Sequence, residues 1–171
     1  VFGKPIVNSD INFNTLKLNN KLIGSGKISS QYNPEKELVS LSGYSSFGKD
    51  ELGNQLKNIE FDGAYYPKKT ENNIDLSFKT EPLDISVLQP FLKDILTIKM
   101  GYLNGSGTVK GTLEQPQINA KLKFMKCVML VDFLNVQYNI SGDVEVMPNQ
   151  INFDNLIATD RYSNKGNISG N

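Results

Sequence analysis

Apolar and polar residues alternate along most of this chain, most regularly between Gly101 and Gly170. Ile118, Ala120, Leu122 and Phe124 share one parity, while Asn119, Lys121 and Lys123 share the other. A period of two marks strands with one face toward an apolar interior and one toward water. The rule recurs at Val136, Tyr138 and Ile140, at Val144 and Val146, and at Ile151 and Phe153. With Gly101, Gly105, Gly107 and Gly111 as punctuation, the stretch predicts a train of short strands.

The earlier half repeats the pattern less cleanly. Ile11 and Phe13, Leu16 and Leu18, and Leu22-Ile23 predict strand pieces before a turn at Asn33-Pro34. Glu37 to Phe47 sets Val39, Leu41 and Gly43 on one side and Leu38 on the other. Gln55 to Tyr65 aligns Ile59, Phe61 and Gly63, and Asn73 to Lys79 aligns Ile74, Leu76 and Phe78. The gaps are too short for crossover helices, so the strands form an antiparallel meander. One segment breaks the period: Ile85, Leu88, Leu92, Ile95 and Leu96 fall at helical spacing behind Asp84 as N-cap. The expectation is an all-β fold, an elongated bent antiparallel sheet (an open groove or a flattened sandwich), with one short helix near residues 84–97. Pro90 either kinks that helix or starts a second short one. The helix covers an end of the sheet core or, alternatively, presents an amphipathic face to a membrane or partner.

At 171 residues the chain is read as a single domain, residues 1–171, large enough to bury a core without disulfides or metals. Eighteen basic and eighteen acidic residues give a formal charge of zero with no basic block, which argues against a strong phosphate-backbone binder. No apolar run approaches the roughly 20 residues of a membrane-spanning helix. Both ends look cut, since the chain starts in a strand-like segment without Met and stops at Ile168-Ser-Gly-Asn171, so it reads as a piece of something longer.

Candidate chemistry is sparse. Histidine is absent, which removes Ser-His-Asp and Cys-His catalysis and histidine metal sites. Gly105-Ser-Gly107-Thr-Val-Lys-Gly111 spaces its glycines as GxGxxxG rather than GxGxxG, and Gly24-Ser-Gly26-Lys27 lacks the rest of a P-loop. Both are read as turns. Asp160-Arg-Tyr-Ser-Asn164-Lys-Gly166 lacks the glycine and terminal Glu of an EF-hand and is read as a polar hairpin turn. The sequons at Asn104, Asn139 and Asn167 are chance matches in a chain rich in Asn and Ser, and Cys127 is read as a small packed hydrophobe. No catalytic residue, cofactor or metal is expected.

From the helix onward the ordered features are Leu88-Gln-Pro-Phe-Leu-Lys-Asp-Ile-Leu96, then Gly101-Tyr-Leu-Asn-Gly-Ser-Gly-Thr-Val-Lys-Gly-Thr-Leu-Glu-Gln-Pro116. Phe133-Leu-Asn-Val-Gln-Tyr138, Ile151 to Asp160 and Asn167-Ile-Ser-Gly170 follow. The set resembles the C-terminal repeat region of the TamB family, within the AsmA-like superfamily, over Leu88 to Gly170 and more loosely before it. The resemblance implies a sheet folded like a taco with a hydrophobic concave face. It also implies a periplasmic segment of a bacterial envelope protein anchored in the inner membrane. Such proteins work with an Omp85-type outer-membrane barrel, in outer-membrane protein assembly and in phospholipid transport. The family's barrel-contacting end usually lies further toward the C-terminus.

The implied partners are phospholipid acyl chains or unfolded outer-membrane protein strands, with self-association through sheet edges as a further expectation. The groove lining expected from parity is Ile118, Leu122, Phe124, Met129, Val136, Tyr138, Ile140, Val144, Val146, Ile151 and Phe153. The same alternation would describe a closed sandwich or barrel core. Rival functions are a β-sandwich adhesin or carbohydrate-binding module, disfavoured by the absence of Trp, and a hydrolase with a carboxylate pair.

Overall fold

A computed structural model describes residues 5–18, 21–49, 51–53, 55–92 and 96–171. The strands are β1 (Val7–Leu18), β2 (Lys21–Asn33), β3 (Leu38–Lys49), β4 (Gln55–Tyr65) and β5 (Ile74–Asp84). They continue as β6 (Leu96–Gly111), β7 (Pro116–Val131), β8 (Val136–Met147), β9 (Gln150–Thr159) and β10 (Lys165–Gly170). They form one antiparallel sheet in strict chain order, with β1 and β10 at its edges. The expected all-β meander is therefore the fold, as one open sheet rather than a sandwich.

Local chemistry closes the turns. The Asn33 side-chain oxygen accepts from the Glu35 and Lys36 N–H groups, both at 3.0 Å. At the β9–β10 turn, one Asp160 carboxylate oxygen accepts from the Tyr162 and Asn164 N–H groups at 2.8 and 2.9 Å. The other accepts from the Asn164 side-chain amide at 2.9 Å.

Register sorts the side chains. Asp75 pairs with Lys110, Lys121 with Glu145, and Ser42 with Asp62, all on one face. Ile11 pairs with Ile28, Phe61 with Phe78, Leu122 with Val144, and Val144 with Phe153 on the other. The polar face carries ion pairs such as Lys27–Asp10 at 3.1 Å, which are exposed and contribute little individually.

Two expectations are corrected. The strands of the C-terminal half are long, with β6 and β7 running 16 residues each. Gly24-Ser-Gly26 lies inside β2 and Gly105-Ser-Gly107 inside β6, not in turns. The reason is steric. A Cβ on Gly43 would stand 2.7 Å from the Phe61 ring, on Gly26 2.7 Å from the Phe13 ring, and on Gly107 2.8 Å from the Phe78 ring. Each phenylalanine is the register partner of its glycine on the neighbouring strand. Glycine lets the ring lie down across the sheet, the arrangement that rescues glycine in strands.

Bulges then bend the sheet. Register shifts fall between Thr80 and Leu83, between Met100 and Tyr102, between Phe124 and Cys127, and between Ser141 and Asp143. They form a line across β5 to β9, where each extra residue kinks and twists its strand. Two bulge residues, Lys126 and Asn155, have φ of 51° and 55°, a left-handed conformation that costs a lysine more than an asparagine.

The segment between β5 and β6 lies on the apolar face. It is a 3-10 helix, Ile85–Phe91, with Asp84 as N-cap accepting from the Ser86 N–H at 2.8 Å. It is shorter than the expected 84–97 helix, for Leu96 and Thr97 already belong to β6, while Ile95 lies outside the described residues. Pro90 falls within this single helix rather than starting a second. Gln89 fixes the boundary: its amide donates to the Leu96 carbonyl at 2.8 Å and its oxygen accepts from the Ile98 N–H at 2.6 Å. One side chain thus satisfies the first backbone groups of β6 as a neighbouring strand would.

Candidate functional site

The helix divides the apolar face into a sealed patch and an uncovered remainder. Beneath it, Ile85 and Cys127 are fully buried and pack with Ile98, Met129, Ile140, Val144, Leu156 and Ala158. A second buried cluster joins Ile23 of β2 to Leu83, Val87 and Leu103. Its reach from β2 to β6 fits a sheet bent toward its apolar side. Asn58, at the β3–β4 irregularity, reinforces this by donating across β3 to the Ile23 carbonyl at 2.7 Å. The Cys127 thiol sits 3.5 Å from the Met125 carbonyl and 3.6 Å from the Tyr102 carbonyl, and burial pushes its pKa up. Protonated and enclosed, it is poorly placed for nucleophilic chemistry.

Beyond the helix, toward β10, the same face opens into a concavity of about 480 Å³. Phe124, Met129, Tyr138, Ile140 and Phe153 line it, joined by Leu96, Val131, Leu156, Ala158, Gly166, Asn167 and Ile168. Its size lies within the roughly 300–1,000 Å³ of ordinary ligand sites. Nearly every side chain around it is apolar, with Asn167 and the Tyr138 hydroxyl as the polar groups among the lining residues. At the opposite end of the strands a shallower hollow of about 410 Å³ takes in Ile118, Val146 and Ile151 beside Pro116, Met147 and Pro148.

The eleven residues expected to line a groove therefore divide. Phe124, Met129, Tyr138, Ile140 and Phe153 meet at the larger concavity, where Met129 and Ile140 are at the same time members of the buried cluster, and Ile118, Val146 and Ile151 meet at the smaller. Val144, only 4 % exposed, belongs to the sealed patch, whereas Ile118 and Ile151 are 41 % and 47 % exposed. Leu122 is half-buried against the Ile23 cluster, and Val136 is exposed at the start of β8. Parity alone could not separate these groups, because the cover comes from residues 85–92.

Seven of the lining residues are not among the expected eleven, and for two of them the reason is a bulge. Leu156 and Ala158 have the opposite parity to Ile151 and Phe153, yet they face the same side because the bulge around Asn155 inserts an extra residue. The bulge at Met125–Lys126 likewise brings even-numbered Phe124 and odd-numbered Met129 onto one face. The only sequence signal is that the apolar parity changes within a strand.

Among the described residues, no group of three or more His, Cys, Asp or Glu is placed to hold a metal. No helix among them is long and apolar enough to cross a membrane. The chain matches no family model, no curated protein and no solved structure.

Proposed function

We propose that this chain is a non-catalytic, periplasmic segment of a TamB-like envelope protein, and that its uncovered apolar face carries phospholipid acyl chains. The observation that supports the reading is the concavity between the helix and β10, lined almost wholly by apolar side chains on a sheet whose other face is polar. An acyl chain laid there loses water from about 0.8 kcal/mol worth of surface per buried CH2. A headgroup stays wet at the rim. An unfolded protein strand, the other cargo implied by the resemblance, would use backbone groups at a sheet edge rather than the face.

The test is site-specific photocrosslinking in bacterial cells, with the crosslinker placed at Tyr138, Phe153 or Ile151 on the apolar face and at Lys123 or Gln137 on the polar one. Mass spectrometry should find phospholipid adducts from the first set only. Equal labelling of both sets, or none from either, would contradict the reading.

A further inference from the structure

The two ends of the strands differ in what their turns expose. In a meander the turns that follow odd-numbered strands all lie at one end of the sheet, and those that follow even-numbered strands at the other. At the first end, which also holds the 3-10 helix, Leu52 tips the β3–β4 turn, Phe133 and Leu134 the β7–β8 turn, and Tyr162 the β9–β10 turn. They are 88 %, 81 %, 51 % and 69 % exposed. The turns of the other end carry Glu35, Lys36, Lys68, Lys69 and Glu114, and Leu113 is the only large exposed apolar side chain among their described residues. Turns favour Gly, Pro, Asn, Asp and Ser, and an apolar side chain left in water at a tip contributes little to the fold. Single exposed apolar residues are ordinary on a protein surface, whereas their recurrence on three turns of one end marks a contact surface.

Hydrogen bonds hold these tips in place. In the β7–β8 turn the Leu134 N–H donates to the Val131 carbonyl at 3.1 Å and the Asn135 N–H to the Asp132 carbonyl at 3.3 Å, while the Thr97 hydroxyl donates to the Asp132 carboxylate at 2.7 Å. The Asp160 bonds fix the β9–β10 turn in the same way, and the Arg161 guanidinium lies 4.7 Å from the centre of the Tyr162 ring. At about 4.8 Å per strand, the β3–β4 and β7–β8 tips stand roughly 20 Å apart and the β7–β8 and β9–β10 tips roughly 10 Å. Anchors so separated do not make the continuous packed core of a protein interface, but a fluid bilayer takes each one independently. A ring with a polar edge, as at Tyr162, suits the headgroup level. The larger concavity reaches the same end: Leu96 opens β6, Val131 closes β7 two residues before Phe133, and Gly166 is the second residue of β10.

We infer that this end of the sheet docks on a phospholipid bilayer, with Leu52, Phe133, Leu134 and Tyr162 entering the interfacial layer and the concavity opening onto it. Glu51, Asp132 and Asp160 stand in these turns against Arg161, so the contact is apolar rather than electrostatic. Entry of acyl chains by this mouth rests on the reading proposed above; docking by the tips does not.

The chain has no Trp, so a single introduced tryptophan reports its own surroundings. With phosphatidylcholine vesicles, Phe133→Trp emission should shift to the blue and be quenched by brominated lipid, and Leu113→Trp, at the other end, should do neither. The partition coefficient from co-flotation should fall at least about tenfold when Phe133→Ser is combined with Leu134→Ser, and stay unchanged in Leu113→Ser. Added phosphatidylglycerol or raised salt should change it by less than about twofold. Ile168→Asp, a change inside the concavity, should keep vesicle binding and lose lipid uptake. A wild-type chain that floats without taking up lipid would overturn the acyl-chain reading and support docking. Phe133→Trp emission that vesicles leave unchanged, equal quenching at both ends, a Phe133/Leu134 double variant that floats as wild type does, or binding that requires phosphatidylglycerol would each overturn the proposal.

Discussion

The patch under the 3-10 helix and the concavity beside β10 are built from the same strands, on the same face, with the same residue types. In the first, Ile85, Leu88 and Leu92 lie over Cys127 and Val144 and exclude water. In the second, Tyr138 and Phe153 pack against the margin of that cluster and stay half-buried, and Ile168 is exposed. The difference shows that an alternating strand specifies only which face is apolar. Whether that face becomes a core or a surface for something else depends on the short segment between β5 and β6 that carries Ile85, Leu88 and Leu92. The sealed patch supplies stability, which leaves the open one available for binding.

The comparison breaks most visibly at Ile85. Ile85→Ala hollows the sealed patch and should cost about 2–5 kcal/mol in urea unfolding, whereas Ile168→Ala, at a residue 42 % exposed, should cost under about 1 kcal/mol. Equal costs would mean that both regions are core. The glycines give the next contrast. Gly107→Val drives a Cβ to 2.5 Å from the Asn119 carbonyl oxygen and should cost about 3 kcal/mol, while Gly166→Val meets open space and should stay within about 0.5 kcal/mol. Gln89→Ala tests what fastens the cover. Leaving the Ile98 N–H and the Leu96 carbonyl without their side-chain partner should cost about 1–2 kcal/mol and speed exchange of the Ile98 amide.

The smallest effect is one of pH, at the turn that carries β10. The Asn164 side-chain amide, and then the Asn164 and Tyr162 backbone N–H groups, hold the Asp160 carboxyl below its usual value. A depressed carboxylate pKa contributes stability above the unfolded value of about 3.9, lost as pH falls through the folded one. The amide resonances of Tyr162 and Asn164 should therefore hold their positions down to that region and shift together below it. In Asp160→Asn they should show no such step.

The faces were legible in the sequence because period two holds on either side of each bulge, and the helix because Ile85, Leu88 and Leu92 break it. Its C-terminal boundary was not legible. Leu96 continues the apolar spacing, and the Gln89 bonds that place it in β6 link residues seven and nine apart. Glycines in a strand and in a turn look alike along the chain. What distinguishes Gly43 or Gly107 is a phenylalanine on another strand, so the information is non-local. The bulges at Lys126 and Asn155 escaped for the same reason: a left-handed lysine has no local signature. Of the candidate site, the floor residues were readable and the distinction between floor and sealed core was not.

Acyl chains are expected on the uncovered apolar face, the concavity beside β10 above all, and not in the patch sealed by the helix. Photolabelling the purified chain with a diazirine-bearing phosphatidylglycerol in vesicles, followed by residue-level mass spectrometry, tests it most directly. Adducts should concentrate at Tyr138, Phe153 and Ile168, be outcompeted by unlabelled lipid, and spare Ile85 and Cys127. Labelling spread evenly over both faces of β7 to β10, or absent at saturating lipid, would contradict the account.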